Sequence, residues 1–196
     1  MKILGAIIAG GQSLRMGARE KGFLNLAGKP ILAHLIERVA PQVDQLVINA
    51  NGDPARFTQF DLTVVPDVMT SLTTPLAGLH AALGFAKRIG AEMLITVPSD
   101  TPFLPADLVK RLLENGGNAA IAASGDQEHY IVGAWKTELL GDLGVAIAQD
   151  NLFRVKDWVQ RISAQVVAWP TGPLDPFFNV NTPEDLQHAE VIVRTG

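Results

Sequence analysis

The sequence predicts an α/β fold, a single three-layer α/β/α domain with a mostly parallel sheet. Three observations predict it. First, 47% of the 196 residues are hydrophobic, which is enough to build one sizeable core. Second, short β-type runs alternate with helix-like runs along most of the chain. Third, several β-type runs are apolar at consecutive positions, as expected for strands that are buried on both faces.

Seven strands are predicted, each a short run that is rich in β-branched and other apolar residues. In chain order they are Ile3–Ala9, Gln45–Asn49, Thr63–Val65, Met93–Val97, Ala119–Ala123, Ile131–Ala134 and Gln165–Trp169. The sequence contains no repeat, linker or low-complexity tract between them. Residues 1–196 are therefore predicted to form one domain.

Five helices are predicted, and proline marks the start of four, because its missing N–H is unpaired in a first helical turn. They begin at Pro30, at Thr74-Pro75, at Pro105, near Leu152 and at Thr182-Pro183. Gly116 is expected to end the third. The last start is the clearest: Thr182 can cap, and the acids Glu184 and Asp185 suit the positive end of the helix dipole.

Composition excludes several classes of protein. With 16 basic and 20 acidic side chains, the net charge of −4 has the wrong sign for a protein that coats nucleic acid. The absence of cysteine excludes disulfide scaffolds, cysteine-ligated zinc, iron–sulfur clusters and thiolate catalysis. No signal peptide and no apolar run of roughly 18 to 20 residues is found. We therefore expect a cytoplasmic protein with no nucleic-acid or membrane partner.

The charge is unevenly distributed along the chain. The first thirty residues hold five basic side chains and one acid, a net charge of +4, so the other 166 carry −8. Six of the 18 glycines lie in the same thirty residues. Glycines and cations together are suited to binding an anion.

A glycine-rich loop follows the first strand. Gly10 and Gly11 let the backbone approach a ligand, while Arg15 and Lys21 supply full charges for phosphate oxygens. The spacing matches neither the dinucleotide-binding fingerprint nor the Walker A loop. The alternative is a tight turn whose charged side chains are solvated.

Acidic and amide side chains follow other strands of the predicted sheet. Asp100 lies where ligands bind in open α/β sheets, and a carboxylate there can hold Mg²⁺ beside phosphates. Asn49 and Asp67 are plausible readers of guanine, because oxygen acceptors can take its N1–H and N2–H₂ donors. All three could instead be ordinary turn residues.

The C-terminal half holds further polar residues. Asn179 and Asn181, spaced by two on an extended segment, would project to the same side. The four histidines have no metal-ligand spacing, and only the role of His129 stays open.

The residues resemble a known family in six blocks that occur in order between positions 8 and 184. The blocks are residues 8–30, 49–51, 67, 75–78, 98–102 and 179–184. The sequence is similar to the MobA-type molybdenum cofactor guanylyltransferases, which are nucleotidyltransferases with a glycosyltransferase-A-like fold and a Rossmann-like sheet, as in the nucleotide-diphospho-sugar transferases. It departs from the family at Thr74, where glycine is frequent, and at Tyr130, where proline is common.

The resemblance implies an activity and its residues. GMP would pass from GTP to molybdenum-bound molybdopterin, giving the guanine dinucleotide cofactor and pyrophosphate, with Mg²⁺ on Asp100. The nucleotide-binding residues would be Ile8, Ala9, Gly10, Gly11, Lys21, Asn49, Asp67, Gly78 and Asp100; the catalytic ones Arg15, Lys21 and Asp100; and the acceptor-binding ones Arg154, Asn179 and Asn181. Residues 1–116 would bind nucleotide and metal, and residues 117–196 the acceptor. Partners would include cofactor-delivery proteins and recipient molybdoenzymes.

Two alternatives stay open. A cytidylyltransferase that acts on molybdopterin, or another related nucleotidyltransferase, would share the loop and Asp100. A regulatory module that binds nucleotide without transfer would need the loop but not the metal-binding acid. Arg154, Lys156 and Arg161 could dock the anionic acceptor or form a solvated helix face.

Overall fold

The structure, a computed structural model, describes residues 1–9, 21–69, 72, 74–114, 116–172 and 174–195. The strands are β1 (Ile3–Ile8), β2 (Asn25–Leu26), β3 (Lys29–Pro30), β4 (Gln45–Asn49), β5 (Thr63–Val65), β6 (Met93–Pro98), β7 (Ala119–Ser124), β8 (Gln127–Lys136) and β9 (Gln165–Trp169). The helices are α1 (Ile31–Val39), α2 (Pro75–Arg88), α3 (Leu108–Leu113), α4 (Leu140–Ala148), α5 (Val155–Arg161) and α6 (Pro183–Thr195).

Seven strands form one sheet in the order β5-β4-β1-β6-β8-β7-β9, and β2 and β3 form a separate hairpin. All neighbours in the sheet are parallel except β8, which is antiparallel to both β6 and β7. The carboxyl ends of the six parallel strands and the amino end of β8 therefore lie along one edge, which we call the carboxyl rim. In register, Ile8 pairs with Asn49 and Pro98 at this rim.

Helices cover both faces of the sheet. Leu35 of α1, Leu108 of α3 and Ala189 of α6 belong to one buried apolar cluster. Leu79 of α2 and Trp158 of α5 belong to a second cluster, which also contains residues of α4. The predicted three-layer α/β/α architecture with a mostly parallel sheet is confirmed. None of the described helices is both long and apolar enough to cross a bilayer.

The predicted bounds of β4, β5 and β9 are confirmed, whereas β8 is longer than predicted. The prediction of Ile131–Ala134 missed the polar residues Gln127–Tyr130 and two residues at the other end. A turn with Gly125 at φ 53° joins β7 to β8, so the strands pair along an antiparallel hairpin. Gln127, Glu128 and His129 pair with β7 although their side chains carry no apolar pattern, and the register shifts after His129.

The starts of α2 and α6 are confirmed. At α6, the Asp185 N–H donates to Thr182 Oγ1 at 3.1 Å, and the Thr182 N–H donates to Asp185 Oδ2 at 2.9 Å. This is a reciprocal capping box. Thr74 precedes α2 as predicted, but its side chain makes no capping hydrogen bond. Pro30 lies one residue before α1, because its ψ of 147° is extended and it pairs within the β2–β3 hairpin.

Two predicted helix starts are wrong by three residues. The third helix begins at Leu108 rather than Pro105, because residues 105–108 form a turn closed by the Leu108 N–H on the Pro105 carbonyl. Helix α5 begins at Val155 rather than near Leu152. The Leu152 N–H donates to the Ala146 carbonyl at 3.1 Å, which ties this residue to the end of α4 instead.

Candidate active site

Three polar side chains that are far apart in the sequence meet at the carboxyl rim. Lys21 begins a short 3-10 turn, Asp100 lies two residues beyond β6, and Asn181 lies just before α6. Lys21 Nζ is 3.2 Å from Asp100 Oδ2 and also donates to Asn181 Oδ1. The side chains of Lys21 and Asp100 are only 20% and 17% exposed, so this ion pair is largely shielded from water.

The segment that carries Asn181 is joined to the end of β6. The Val180 N–H donates to the Asp100 carbonyl at 2.8 Å. Asn179 Oδ1 is buried and has no hydrogen-bond partner among the described residues. A buried acceptor of this kind is costly unless something satisfies it, so Asn179 is a candidate contact for a ligand.

Helix α6 is held in place by its cap beside this segment. Asp185 Oδ2 accepts from the N–H groups of Asn181 and Thr182, both at 2.9 Å. Partial burial alone would raise the pKa of the Asp185 carboxyl, but these two N–H groups lower it below its ordinary value. The cap therefore fixes the backbone of Asn181.

A second polar group lies at the ends of β4 and β5. Asn49 is fully buried, and its Nδ2 donates to Asp67 Oδ1 at 2.8 Å and to the Val65 carbonyl at 3.0 Å. Asn51 Nδ2 donates to Asp67 Oδ2 at 2.8 Å, and Asn51 Oδ1 accepts from the Asp67 N–H at 2.9 Å. The Asp67 carboxylate is thus held between two amides, and each oxygen keeps a lone pair for a further donor.

Helix α2 approaches this group closely at Gly78. A Cβ atom on Gly78 would overlap Asn49 Oδ1 and would lie 3.3 Å from Ile8 Cγ2. Asn49 Oδ1 is buried and has no hydrogen-bond partner among the described residues. The lack of a side chain at Gly78 thus leaves room for an unpartnered acceptor between β1, β4 and α2.

Several predicted loop residues cannot be placed. Gly10, Gly11 and Arg15 lie outside the described residues. Ala9 is described, and its N–H donates to the Asn49 carbonyl at 2.8 Å. Lys29, one of the five basic residues among the first thirty, lies elsewhere. Its Nζ is 2.5 Å from both carboxylate oxygens of Glu37, an exposed pair whose hydrogen bond lowers the pKa of Glu37.

The cations near α5 have local acidic partners. Arg154, 83% exposed, has its Nε 3.2 Å from Asp157 Oδ2, and Arg161 pairs with Asp150 at 2.6 Å. Such exposed pairs contribute about 0 to 1 kcal/mol to stability. The contacts match a solvated helix face, and a role for Arg154 in binding the acceptor stays a prediction.

A family model described as the MobA-like NTP transferase domain matches residues 5–166. The chain belongs to this family. Molybdenum cofactor guanylyltransferase of Bradyrhizobium sp. is 44% identical, with 95% of this chain and 91% of that protein covered. The Cereibacter sphaeroides protein of the same name is 40% identical, with 99% and 98% covered.

Solved structures give the same result for the fold of this MobA-like NTP transferase. Molybdopterin-guanine dinucleotide biosynthesis protein A of Archaeoglobus fulgidus has a TM-score of 0.76, 24% identity, and coverage of 98% of this chain and 100% of its own. A nucleotidyl transferase of Methanothermobacter has a TM-score of 0.75 at 18% identity, with 100% and 99% covered. The resemblance inferred from six sequence blocks is confirmed at the level of the family, a family of nucleotidyltransferases.

The structure shows one polar cluster of this MobA-like protein that the sequence did not predict. Ser124, His129 and Asp175 form a hydrogen-bonded chain at the carboxyl rim, of which only His129 had been singled out. One signal could have found Asp175: it is an acid in the apolar stretch that leads to Asn179.

Proposed function

We propose that this chain transfers GMP from GTP to molybdenum-bound molybdopterin, producing the guanine dinucleotide form of the cofactor and pyrophosphate. The names of relatives at 40–44% identity over nearly the whole chain support this activity. The observation that carries it is the shielded Lys21–Asp100 pair at the same rim as the Asn49–Asp67 group. The triphosphate and its metal would bind at the Lys21–Asp100 pair, and the nucleobase would bind at the Asn49–Asp67 group.

The reaction needs alignment of its two substrates and neutralisation of their charge more than it needs a general base. A phosphate oxygen of the acceptor attacks the α-phosphorus of GTP, and the bond to the departing pyrophosphate breaks with its electron pair. Negative charge therefore grows on the leaving group. In our proposal, Lys21 and Arg15 neutralise that charge, and the backbone of Gly10 and Gly11 holds the phosphates. Ala9, whose own N–H is bonded to the Asn49 carbonyl, contacts the nucleotide. No covalent intermediate on the protein is needed.

Mg²⁺ is the proposed metal, and the residues fit it. Among the described residues, Lys21 is the only side chain bonded to the Asp100 carboxylate, and it uses Oδ2 alone. No cluster of three or more acidic, histidine or cysteine side chains that could hold a metal is found in the described part of the chain. Mg²⁺ commonly binds one or two carboxylates plus phosphates and water, which suits a single Asp100. Bound there, the metal would neutralise the phosphate charge.

Guanine is the proposed base. Its N1–H and N2–H₂ donors could be accepted by the Asp67 carboxylate, which two amides hold in place. Ile8 and Gly78 pack against the Asn49 side chain, which in turn holds the Asp67 carboxylate, so these residues would support the contact that Asp67 makes to the base. Cytosine lacks adjacent imino and amino donors, so the same acceptors favour guanine.

The acceptor is proposed to lie beside Asn179, Asn181 and Arg154. Residues 1–116 then supply the nucleotide and metal site, and residues 117–196 the acceptor site. The cytoplasmic location, and exchange with cofactor-delivery proteins and recipient molybdoenzymes, stay predictions.

One assay tests the activity. The protein is incubated with Mg²⁺, molybdenum-loaded molybdopterin and each nucleoside triphosphate in turn, and the dinucleotide is identified by mass. We expect the guanine dinucleotide. Turnover with CTP equal to or above that with GTP would reject guanine, and GTP binding without any transfer would favour a regulatory module.

A further inference from the structure

A buried polar chain joins the strands β7 and β8 to the segment before α6. Ser124 ends β7 and is 3% exposed, and His129, near the start of β8, is 8% exposed. Ser124 Oγ is 2.7 Å from His129 Nε2 and 2.9 Å from Asp175 Oδ2. Because an ionised carboxylate only accepts, the Ser124 hydroxyl donates to Asp175 and accepts from the Nε2–H of His129.

The same carboxylate shapes the turn that follows it. Asp175 Oδ1 accepts from the Phe177 N–H at 2.9 Å, and the Asp175 carbonyl accepts from the Phe178 N–H at 3.1 Å. The buried Phe177 ring has its centroid 4.7 Å from that of the His129 imidazole. His129 therefore holds the segment both through Ser124 and by ring contact.

The far end of this segment enters the candidate active site. Val180 is bonded to the Asp100 carbonyl, and Asn181 accepts from Lys21. Asn179, whose buried Oδ1 has no partner among the described residues, lies between Asp175 at one end of the segment and Val180 at the other. Residues 175–181 are thus fixed at one end by β7 and β8 and at the other by the loop after β6.

The order of the three groups argues against a hydrolytic triad. In such a triad the histidine lies between the serine and the acid, and the serine oxygen is open to substrate. Here Ser124 lies between His129 and Asp175 and is buried. No free nucleophile results, and the chain is suited to holding a segment in place.

We propose that Ser124, His129 and Asp175 are positioning residues for the acceptor: they hold residues 175–181 so that Asn179 and Asn181 face it. This inference rests on the proposed function, since it takes Asn179 and Asn181 as acceptor contacts. Of the proposed GTP contacts that the structure describes, only Lys21 and Asp100 are bonded to residues 175–181, and the others lie on or after β1, β4 and β5, or on α2. Loss of the polar chain therefore weakens acceptor binding more than GTP binding.

Four variants test the proposal: two that break the chain, one that conserves it and one control elsewhere in the sheet. Ser124→Ala and His129→Leu both break the chain, and we expect the KM for molybdopterin to rise about ten- to hundredfold, the scale of a small misplacement. The Kd for GTP, measured without acceptor, should change several times less than the acceptor KM, because only Lys21 and Asp100 among the proposed GTP contacts are bonded to the segment. His129→Gln keeps an N–H donor toward Ser124 and should restore most of the acceptor affinity.

Thr137→Val is the matched control. Thr137 is as buried as His129 and donates to the Ala91 carbonyl at 3.0 Å, at the opposite edge of the sheet. It should lower stability without changing the KM for molybdopterin. Equal changes in GTP and acceptor binding for Ser124→Ala, or no change in acceptor KM for His129→Leu, would overturn the proposal.

A readout independent of turnover separates this inference from the proposed function. Amide hydrogen exchange at Val180 reports on its bond to Asp100. We expect exchange at least about tenfold faster in Ser124→Ala and His129→Leu, and unchanged in His129→Gln and Thr137→Val. If the wild-type protein makes no dinucleotide but exchange follows this pattern, the proposed function fails while the positioning of the segment stands. Unchanged exchange in the first two variants refutes the positioning itself.

Discussion

Asn49 is a buried amide whose nitrogen is fully used and whose oxygen is not. Its Nδ2 donates to Asp67 and to the Val65 carbonyl, while Oδ1 faces the place where Gly78 has no side chain. With Nδ2 held at two points, the amide cannot rotate away without losing both bonds. The amide is therefore fixed, and it in turn fixes the Asp67 carboxylate that is proposed to read the base.

Gly78→Ala is predicted to damage this site. The new Cβ overlaps Asn49 Oδ1, so we expect a loss of about 1 to 3 kcal/mol in unfolding free energy and at least tenfold weaker GTP binding. Denaturant titration and calorimetry measure the two effects. Gly84→Ala is the control on the same helix: its Cβ meets nothing within 4 Å, and a gain of about 0.5 to 1 kcal/mol is expected. Equal GTP affinity in both variants would refute the account of Gly78.

His129 gives a prediction on pH. Burial lowers the pKa of its imidazole below 6.5, and the nearby Asp175 opposes that shift only partly. The unfolded chain then takes up a proton near pH 6.5, while the folded protein resists it until a lower pH. The contribution of His129 to stability is therefore full above about pH 6.5. It is lost as the pH falls below that value and through the lower pKa of the folded protein.

Denaturant unfolding at about pH 7.5 and 5.5 tests this. The loss of unfolding free energy between the two pH values should be smaller in His129→Gln than in the wild type, because the variant has no imidazole to protonate. A wild-type protein that loses no more stability than the variant on acidification would contradict the assignment.

At the scale of elements, those marked by their own residue pattern were predicted, and those held mainly by contacts with other elements were not. Strands β4, β5 and β9 are short runs of β-type residues with clear ends, and their bounds were predicted. The first three residues of β8 are polar and are held by pairing with β7, which composition does not reveal. Helix α4 was not predicted because Leu140–Ala148 contains two glycines and only one charged residue, so no polar face marks it.

In the candidate site, likewise, single residues could be predicted from local sequence, but the bonds between distant residues could not. Asp100 and Asp67 could be predicted because strand ends of a parallel sheet share one edge, and Lys21 from its glycine-rich surroundings. The bonds of Lys21 to Asp100 and Asn181 could not, since they join residues 79 and 160 positions apart. The Ser124–Asp175 bond spans 51 positions and depends on where the loop after β9 returns.

Arg154, the residue before α5, is a proposed acceptor contact whose local contacts offer a competing explanation. Arg154 is exposed and paired with Asp157, and Arg161 is paired with Asp150. If Arg154 binds the anionic acceptor, Arg154→Ala raises the acceptor KM, whereas Arg161→Ala, the matched exposed control, leaves it unchanged. Both should change stability by no more than about 1 kcal/mol. Equal KM values in the two variants would assign Arg154 to a solvated helix face.

At the scale of the whole molecule, the site lies where two parts of one sheet meet. The proposed nucleotide contacts come from β1, β4, β5, β6 and the segments that follow them, and the proposed acceptor contacts from the chain after β7. Strand β8 joins the two parts by pairing with β6 on one side and β7 on the other. Lys21 and Asp100 contact Asn181 and Val180 across this junction.

The overall charge of −4 combines a basic N-terminal segment of +4 with a remainder of −8. Of the basic side chains in that segment, Lys21 lies at the site and Lys29 pairs with Glu37 on α1. Asp100 supplies an acid from the remainder of the chain. In our account, the substrate phosphates and the metal meet where these two oppositely charged parts of the sequence make contact.

Asp100→Asn tests the central claim most directly. Pyrophosphate release is measured with GTP, Mg²⁺ and molybdenum-loaded molybdopterin, and GTP binding is measured separately without metal. Asp107→Asn is the control, an exposed acid that pairs with Arg111. We predict that Asp100→Asn lowers pyrophosphate release at least about a thousandfold while metal-free GTP binding survives, and that the control retains both. Release from Asp100→Asn at the wild-type rate would contradict the account.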